Sequence, residues 1–171
     1  AFGTLGLHPE LTQTLDERGY TTPTPIQSEL IPAILDGRDV IGQSHTGSGK
    51  TAAYGLPVLQ NLLPGGEYIQ ALIMAPTREL AVQVAEALRR YGRRLGVRVL
   101  AVYGGQPYPA QIKGLRRGTD VVVGTPGRLR DLMARGSLDL RHLTTLVLDE
   151  ADEMLSMGFI DDIEAILTAT P

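Results

Sequence analysis

The sequence contains no cysteine among its 171 residues. This absence excludes disulfide bonds, zinc sites built on thiolates and catalysis by a thiol. Long hydrophobic runs are also missing, because the most apolar stretches, at residues 71–75 and 121–123, are far too short to span a bilayer. Nothing at the N-terminus resembles a signal peptide, so the sequence favours a cytoplasmic protein and argues against a membrane one.

Lysine is scarce as well: only Lys50 and Lys113 occur, and the other 14 basic residues are arginines. The net charge of −3, taken alone, argues against a nucleic-acid partner. However, residues 149–171 hold seven acidic and no basic residues, whereas residues 1–148 hold 16 basic and 12 acidic ones, a net charge of +4. The distribution of charge therefore allows a nucleic-acid backbone as a partner, although it does not establish one.

Short apolar runs alternate with longer amphipathic segments along the chain. Five runs rich in Val, Ile and Leu predict strands at 39–42, 70–75, 97–103, 120–124 and 145–149. Several lack alternation, which suits strands buried on both faces of a parallel sheet. Helical periodicity predicts helices at 9–18, 25–35, 49–62, 79–95, 107–116, 126–134 and 160–168. The pattern indicates a doubly wound α/β fold, with a mainly parallel sheet and helices on both faces.

The strongest single signal is the segment Ser44-His45-Thr46-Gly47-Ser48-Gly49-Lys50-Thr51, between a predicted strand and a predicted helix. A triphosphate needs close backbone approach, several N–H donors, a cation for its β and γ oxygens and a hydroxyl for Mg²⁺. The glycines, the lysine and the threonine supply these groups in order. Ser44 replaces the first glycine of the common pattern, and His45 is interpreted as a spacer. The strand–loop–helix context disfavours the alternative, a glycine-rich loop with a surface lysine.

Such a phosphate loop needs a carboxylate site at the end of a buried strand. The segment 145–150, Thr-Leu-Val-Leu-Asp-Glu, fits this requirement. Asp149 would hold the Mg²⁺ shell, and Glu150 would polarise the attacking water. The alternative is that both acids begin a helix at Ala151, where carboxylates suit the helix dipole, and the two roles are compatible.

Asp149-Glu150-Ala151-Asp152 is the tetrapeptide that names the DEAD-box RNA helicases, and the resemblance covers nearly the whole chain. Residues 19–27 resemble the family's Q motif, with Phe2 at the upstream aromatic position, and residues 44–51 resemble motif I. Residues 76–80, 104–105, 125–128 and 155–159 resemble motif Ia, the GG motif, motif Ib and the segment after motif II. The sequence is thus identified as a bacterial-type member, with a helical Q-motif region at 1–36 packed on a RecA-like core at 37–171.

The resemblance implies an ATP site to which residues 44–51 contribute the phosphate loop. Gln27 would read the adenine edge, since a carboxamide offers one donor and one acceptor, although Gln27 alone suits a helix start. Tyr20 would stack on the base with Phe2 in support, and the Thr22 carbonyl would accept from the exocyclic amine. The implied catalytic residues are Lys50, Asp149 and Glu150, and the implied Mg²⁺ ligands are Thr51 and Asp149.

The resemblance also implies single-stranded RNA as a partner, held by its backbone. Hydroxyls, guanidiniums and exposed N–H groups at helix starts bind phosphates without reading sequence. Thr125 before Pro126 also suits a helix N-cap, and Arg78 also suits an ion pair, so these alternatives stay open. The implied RNA contacts are Thr77, Arg78, Gly105, Thr125 and Arg128, all just beyond predicted strands.

The family's motif III is missing, because Thr168-Ala169-Thr170 lies at the end of a predicted helix rather than after a further strand. The second RecA-like domain of the family, which carries an arginine finger, is absent too. The chain is therefore expected to be a fragment that binds ATP weakly and hydrolyses it very slowly. Asp152, which in the family couples motif II to motif III and the second domain, would lack its main partners.

Two other functions remain open from the sequence. One is a stand-alone nucleotide-sensing or partner-docking module with negligible ATPase activity. The other is a P-loop ATPase of another class that moves DNA, although the adenine-reading motif around Gln27 argues against it. In the favoured reading, an intact helicase would close two domains over ATP and RNA, hydrolyse ATP and unwind short duplexes.

Overall fold

A computed structural model describes residues 2–36, 49–63 and 65–171 of the chain. The predicted strand at 39–42 and residues 44–48 of the phosphate loop lie outside these residues. The chain divides into two compact units. We call Ala1–Pro64 with Glu86–Val97 the helical unit, and Gly65–Ala85 with Arg98–Pro171 the sheet unit.

The helical unit contains three complete helices, of which the first two begin where the sequence predicts and the third begins one residue later. Helix α1 spans Pro9–Glu17, α2 spans Pro25–Leu35 and α3 spans Lys50–Gln60, and a 3₁₀ helix at Phe2–Leu5 precedes them. Proline at the first helical position fixes φ for a helix start in α1 and α2. Helices α2 and α3 pack against each other. The core of the unit includes Leu11, Leu15, Ile31, Leu56 and Leu59, each at most 1% exposed.

The sheet unit contains four strands, all parallel, in the order β2-β3-β1-β4. Strand β1 spans Ala71–Met74, β2 Val99–Val102, β3 Val121–Gly124 and β4 Thr145–Leu148. Four of the five predicted strands are thus confirmed, each with somewhat tighter bounds. The two central strands, β1 and β3, are buried along their whole length, which agrees with their unbroken apolar sequences.

Five further helices follow or connect the strands: α4 (Arg78–Tyr91), α5 (Tyr108–Arg116), α6 (Pro126–Ala134), α7 (Ala151–Ser156) and α8 (Ile160–Thr168). The boundary between the two units falls within α4. The predicted helix at 79–95 was too long, because α4 ends before Gly92 and a separate 3₁₀ turn follows at Arg93–Leu95. Thr168 ends α8, which confirms that residues 168–170 terminate a helix.

One face of the sheet carries a continuous apolar core. Leu72, Met74 and Val122 from the strands pack with Leu129 and Leu132 of α6, Met154 of α7 and Ile163 and Ile166 of α8. The right-handed crossover rule places α5 and α6 on this face and the start of α4, whose connection runs the opposite way, on the other. The α/β fold with a parallel sheet and its helices is therefore confirmed.

The strand pairing aligns the four strand ends. Met74 pairs in register with Gly124 on one side and Leu148 on the other, and Val102 pairs with Gly124. Because all strands run the same way, the segments that follow these residues emerge side by side. We call this the C-terminal edge of the sheet. No helix within 2–36, 49–63 and 65–171 is long and apolar enough to cross a membrane.

Candidate functional site

The hydrogen-bond ladder of the sheet continues one residue past the C-terminal edge. Three backbone N–H groups donate to the neighbouring strand: Ala75 to Gly124 at 3.0 Å, Thr125 to Val102 at 3.1 Å and Asp149 to Met74 at 2.9 Å. The backbone is therefore fixed up to the first residue of each connecting loop. Side chains on the next residues are placed by the sheet, in the region where parallel α/β sheets bind ligands.

Thr77 and Arg78 begin helix α4 at this edge. The Thr77 hydroxyl accepts a hydrogen bond from the Leu80 N–H at 3.2 Å, so Thr77 caps the helix. Arg78 is exposed, and its guanidinium carbon lies 5.1 Å from the centroid of the Tyr103 ring. In the described part of the chain, Arg78 thus has an aromatic neighbour rather than the carboxylate partner that the sequence left open.

Strand β2 leads into the loop Tyr103-Gly104-Gly105-Gln106-Pro107, which we call the glycine loop. Both glycines are exposed, and Gly105 has a φ of +85°, a conformation that residues with a side chain rarely adopt. Arg128 of α6 contacts this loop: its Nη1 donates to the Gln106 carbonyl at 2.8 Å. The predicted RNA contacts Gly105 and Arg128 therefore lie in one connected group.

Thr125 occupies the N-cap position of α6 and Pro126 the first helical position, as the sequence allows. The Thr125 side chain nevertheless makes no capping hydrogen bond. The two predicted RNA-binding threonines thus differ, because the Thr77 hydroxyl serves its own helix and the Thr125 hydroxyl does not.

Asp149 and Glu150 follow β4 at the same edge. Asp149 is 2% exposed. Glu150 has φ 54° and ψ 52°, and among the described residues other than glycine it alone has a positive φ. A left-handed conformation costs a residue with a Cβ about 1–2 kcal/mol. Strain of this kind at a residue predicted to activate water is typical of a functional site.

Helix α7 begins at Ala151, so the alternative role of the two acids at a helix start is confirmed in position. Glu150 is the N-cap residue, but its side chain does not cap the helix. A hydrogen bond with Glu150 raises the pKa of Glu153 above its ordinary value, and burial adds to this effect. Asp152, the predicted interdomain residue, is exposed in the first turn of α7.

The oxygen ligands predicted for Mg²⁺ fit the chemistry of that ion. Mg²⁺ is usually held by one or two protein oxygens together with substrate phosphates and water. Buried Asp149 at a strand end and Thr51 in the first turn of α3 are donors of this kind. Within the described ranges there is no group of three or more His, Cys, Asp or Glu that could hold a metal by itself.

The helical unit holds the predicted adenine reader, Gln27, which is 6% exposed. Its Oε1 accepts from the Thr24 N–H at 2.9 Å, and its backbone N–H donates to the Thr24 hydroxyl at 3.4 Å. This reciprocal capping box starts α2, so the helix-start role of Gln27 is real. Its Nε2 donates to the Gly49 carbonyl at 3.1 Å. One acceptor lone pair and one N–H of the carboxamide are not used by these bonds.

Gly49 lies in the phosphate loop and is the N-cap of α3, with a φ of +86°. A Cβ at this position would lie 2.5 Å from Nε2 of Gln27, so both the backbone conformation and the contact require glycine. Lys50 and Thr51 are the first two residues of α3. Backbone N–H groups at a helix start have no intrahelical acceptor, and they favour a bound phosphate.

The remaining predicted nucleotide contacts differ in accessibility. Phe2 is 5% exposed and belongs to the core of the helical unit, whereas Tyr20 is 48% exposed and Thr22 is exposed. Burial raises the pKa of Tyr91 above its ordinary value, and nearby Tyr20 adds to the rise. With about half of its side chain exposed, Tyr20 is accessible to a stacking ligand. Phe2 is buried, so it can support a nucleotide site only by packing within the core and not by direct contact.

Sequence reasoning missed Gln111, which is 1% exposed in α5. Its Oε1 accepts from Arg128 Nη1 at 3.0 Å, and its Nε2 donates to the Tyr103 carbonyl at 3.1 Å. One signal was available, because Gln111 falls in the stripe of α5 whose other members, Ile112 and Leu115, pack on the core. A polar residue in an apolar stripe indicates a buried hydrogen-bond partner.

Comparison with known proteins adds a family to this geometry. Residues 24–171 match the family model described as DEAD/DEAH box helicase. The chain is 56% identical over 171 residues to the ATP-dependent RNA helicase DeaD of Escherichia coli K12, covering 99% of this chain and 27% of that protein. It is 53% identical over 170 residues to the DEAD-box ATP-dependent RNA helicase CshA of Streptococcus pneumoniae, covering 99% and 32%.

Two solved structures resemble the chain along nearly its whole length. One is a DEAD box protein from Methanococcus jannaschii, with a TM-score of 0.95 and 40% identity, covering 99% of this chain and 47% of that one. The other is a hypothetical ATP-dependent RNA helicase from Sulfolobus tokodaii, with a TM-score of 0.89 and 44% identity, covering 96% and 47%. The chain spans about a quarter to a third of the curated relatives that it matches. It belongs to the DEAD/DEAH box helicase family.

Proposed function

We propose that this chain is the first RecA-like domain of an ATP-dependent RNA helicase, and that it binds Mg²⁺-ATP and the backbone of single-stranded RNA. The observation that carries the proposal is the C-terminal edge of the sheet, where four aligned strands present the predicted RNA and carboxylate residues together. The family membership and the names of the relatives support the same function.

The nucleotide would bind through the helical unit. In this proposal, Gln27 reads adenine with the donor and acceptor that remain after capping, and Tyr20 stacks on the base. The start of α3 supplies backbone N–H groups, and Lys50 supplies a cation for the β and γ phosphates. The contact from Gln27 to Gly49 supports this assignment, because it joins the proposed adenine reader to the end of the phosphate loop.

Thr51 and Asp149 would hold Mg²⁺, which neutralises phosphate charge when it is bound. Glu150 would accept a hydrogen bond from the attacking water and orient it toward the γ phosphorus. The exposed Arg78 guanidinium, the exposed glycines of the glycine loop and the half-buried Thr125 hydroxyl would bind RNA phosphates without reading bases. Such contacts predict RNA binding with little sequence preference.

We further propose that a second RecA-like domain of the same full-length protein completes the ATP site and the RNA site. The exposed position of Asp152 at the start of α7 supports this role, because a partner domain can reach it. The chain by itself would bind ATP weakly and turn it over very slowly, since an arginine supplied from elsewhere is worth ~10³–10⁵ in related reactions. We also propose that the full-length protein acts in the cytoplasm, where both of its proposed ligands, ATP and RNA, are present.

Replacement of Glu150 by glutamine in the full-length protein tests the proposal. An amide at position 150 cannot act as a base, so RNA-stimulated ATP turnover should fall at least about 100-fold, while ATP binding remains. The matched control is Glu164→Gln, which removes one exposed carboxylate from α8 and should leave turnover within about twofold. Normal turnover in Glu150→Gln would refute the proposed mechanism, whereas negligible turnover in the wild-type full-length protein would favour a nucleotide-sensing module instead.

A further inference from the structure

Gln111 lies between the glycine loop and α6, and its hydrogen-bond partners determine which end of its carboxamide is the oxygen and which is the nitrogen. A guanidinium only donates hydrogen bonds and a backbone carbonyl only accepts them. The carboxamide oxygen must therefore face Arg128, and the amide nitrogen must face the Tyr103 carbonyl, as found at 3.0 and 3.1 Å. The second hydrogen of that nitrogen is donated to Oε1 of Gln106. Both N–H groups of a 1%-exposed side chain are thus used within one loop.

Arg128 completes the contacts from the other side. The same Nη1 that donates to Gln111 also donates to the Gln106 carbonyl at 2.8 Å. The guanidinium carbon lies 3.9 Å from the centroid of the Tyr108 ring, and Arg135 lies 3.8 Å from the same centroid. Tyr108 in turn donates from its hydroxyl to Asp131. The plane of the Arg128 guanidinium is therefore set by stacking and by hydrogen bonds within the protein.

These contacts fix the glycine loop on both sides of its glycines. Tyr103 is held by its carbonyl, and Gln106 is held by its carbonyl and its side chain. The two residues between them, Gly104 and Gly105, are exposed. Their backbone is presented to solvent in one defined shape, with Gly105 at a φ of +85°. Fixed, exposed N–H groups in a loop are a common device for binding phosphate.

We propose that Gln111 is a positioning residue for RNA, and that Gln111 and Arg128 form a clamp that holds the glycine loop in its phosphate-binding shape. Arg128 then supports RNA affinity through the loop rather than by touching a phosphate itself. The inference rests on the proposed RNA-binding function. Stability alone would not call for an amide here, because burying one costs free energy unless every bond is made, and an apolar residue would continue the stripe of α5.

The test measures RNA affinity and its salt dependence in the full-length protein. Gln111→Met keeps the length of the side chain and removes its hydrogen bonds, whereas Gln111→Glu keeps an acceptor for Arg128 and removes both donors to the loop. Each should raise the RNA concentration for half-maximal ATPase about tenfold, with the KM for ATP and the rate at saturating RNA within about twofold of wild type. The matched control is Gln83→Met, at an exposed glutamine of α4, which should leave the RNA concentration for half-maximal ATPase, the KM for ATP and the rate at saturating RNA unchanged.

The variant Arg128→Gln distinguishes a role of Arg128 in the clamp from direct contact between Arg128 and an RNA phosphate. A residue that neutralises one phosphate of single-stranded RNA lowers the slope of log affinity against log salt by about 0.7 when it is removed. A residue that acts through the loop weakens binding without changing this slope, which is the result that we expect. A slope that falls by about 0.7 would overturn the assignment of Arg128, and wild-type RNA affinity in both Gln111 variants would overturn the clamp.

Two further variants keep the test decisive. Gln106→Ala removes the half-buried side chain in the glycine loop that accepts from Gln111, so it should fold where a core variant does not, and we expect about a threefold loss of RNA affinity. Arg78→Gln tests the proposed RNA site and removes no hydrogen bond of the clamp. If Arg78→Gln weakens RNA binding and the clamp variants do not, only the clamp is wrong. If RNA affinity is unchanged in Arg78→Gln as well, the proposed RNA site itself fails.

Discussion

The two ends of the sheet use their polar groups in opposite ways. At the end where the strands begin, Asp120 is 3% exposed, and its two carboxylate oxygens accept from the Arg98 side chain at 2.9 and 3.2 Å and from the Arg98 N–H at 2.9 Å. Arg98 also donates to the Gly66 carbonyl at 2.6 Å. At the C-terminal edge, by contrast, Arg78 and Gly105 are exposed, and Glu150 is strained.

This difference separates stability from function within one small sheet. Polar groups that satisfy one another lower the free energy of the folded state and have little left to offer a ligand. At the C-terminal edge, an exposed guanidinium, exposed glycines and a left-handed backbone conformation add little to stability or lower it, and these groups remain able to bind phosphate or orient water. Substitutions where the strands begin should therefore lower stability, whereas substitutions at the C-terminal edge should weaken ligand binding or ATP turnover.

The largest expected change in stability is at the end of the sheet where the strands begin. Asp120→Asn removes the charge that Arg98 faces. Because the Arg98 side chain is 38% exposed while Asp120 is buried, we expect a cost of about 2 kcal/mol, as for a hydrogen-bonded charged group. Native-state hydrogen exchange of the β1 and β3 amides in the full-length protein should report this loss. RNA and ATP affinities, measured where the variant is still folded, should remain within about twofold of wild type. A tenfold loss of RNA affinity in Asp120→Asn would remove the proposed division between the two ends.

The same pair predicts how stability depends on pH. Burial alone would raise the pKa of Asp120, but hydrogen bonds from Arg98 outweigh it and hold the pKa below its ordinary value. A lowered folded-state pKa contributes stability above the unfolded value of about 3.9, and this contribution is lost as pH falls through the folded value. Hydrogen-exchange free energies should thus fall more steeply in wild type than in Asp120→Asn below about pH 4. If the free energies of wild type and Asp120→Asn fall in parallel as the pH is lowered, Asp120 is not the source of the pH dependence.

The two threonines at the C-terminal edge offer a smaller contrast. Thr77→Val removes a capping hydroxyl and should cost about 1 kcal/mol of stability, whereas Thr125→Val removes a hydroxyl that caps nothing and should cost less than about 0.5 kcal/mol. Both variants should weaken RNA binding. Exchange rates of the first amides of α4 and α6 compare the two costs, and equal losses of stability would contradict the assigned cap.

The smallest expected effect is an increase in stability rather than a loss. Glycine at position 150 adopts a positive φ without strain, so Glu150→Gly should stabilise the start of α7 by somewhat under 1 kcal/mol, while ATP turnover is lost. Exchange of the α7 amides measures the gain. Destabilisation by Glu150→Gly would mean that the Glu150 side chain supports the fold and that its conformation is not strained.

The sequence predicted the local features of this molecule better than its long-range contacts. Strands β1 and β3 are short apolar runs that follow a polar residue, and α6 begins at a Thr-Pro pair, so the local sequence was enough to predict them. The end of α4 was misjudged because apolar residues continue past Gly92 in helical spacing, although the helix stops there. The division of the chain between two units also left no local signal.

Gln111 shows why part of the candidate site could not be predicted. Its partners Tyr103, Gln106 and Arg128 lie 5 to 17 positions away along the chain, and the crossovers through α5 and α6 bring them together. Gln27, equally well hydrogen-bonded, was identified because it lies in the segment 19–27 that resembles the family's Q motif, and its place at a helix start was predicted from Pro25 two residues before it. The sequence can reveal a role that depends on local spacing, whereas a role that depends on tertiary contacts needs the structure.

Hydrogen exchange with and without ligands tests the central claim most directly. The full-length protein would be compared alone and with single-stranded RNA plus a non-hydrolysable ATP analogue. We predict slower exchange at the C-terminal edge, in residues 104–106 and 125–128, and unchanged exchange at residues 66–70 and 118–120, where the strands begin. Protection confined to residues 66–70 and 118–120, or equal at both ends of the sheet, would contradict the account.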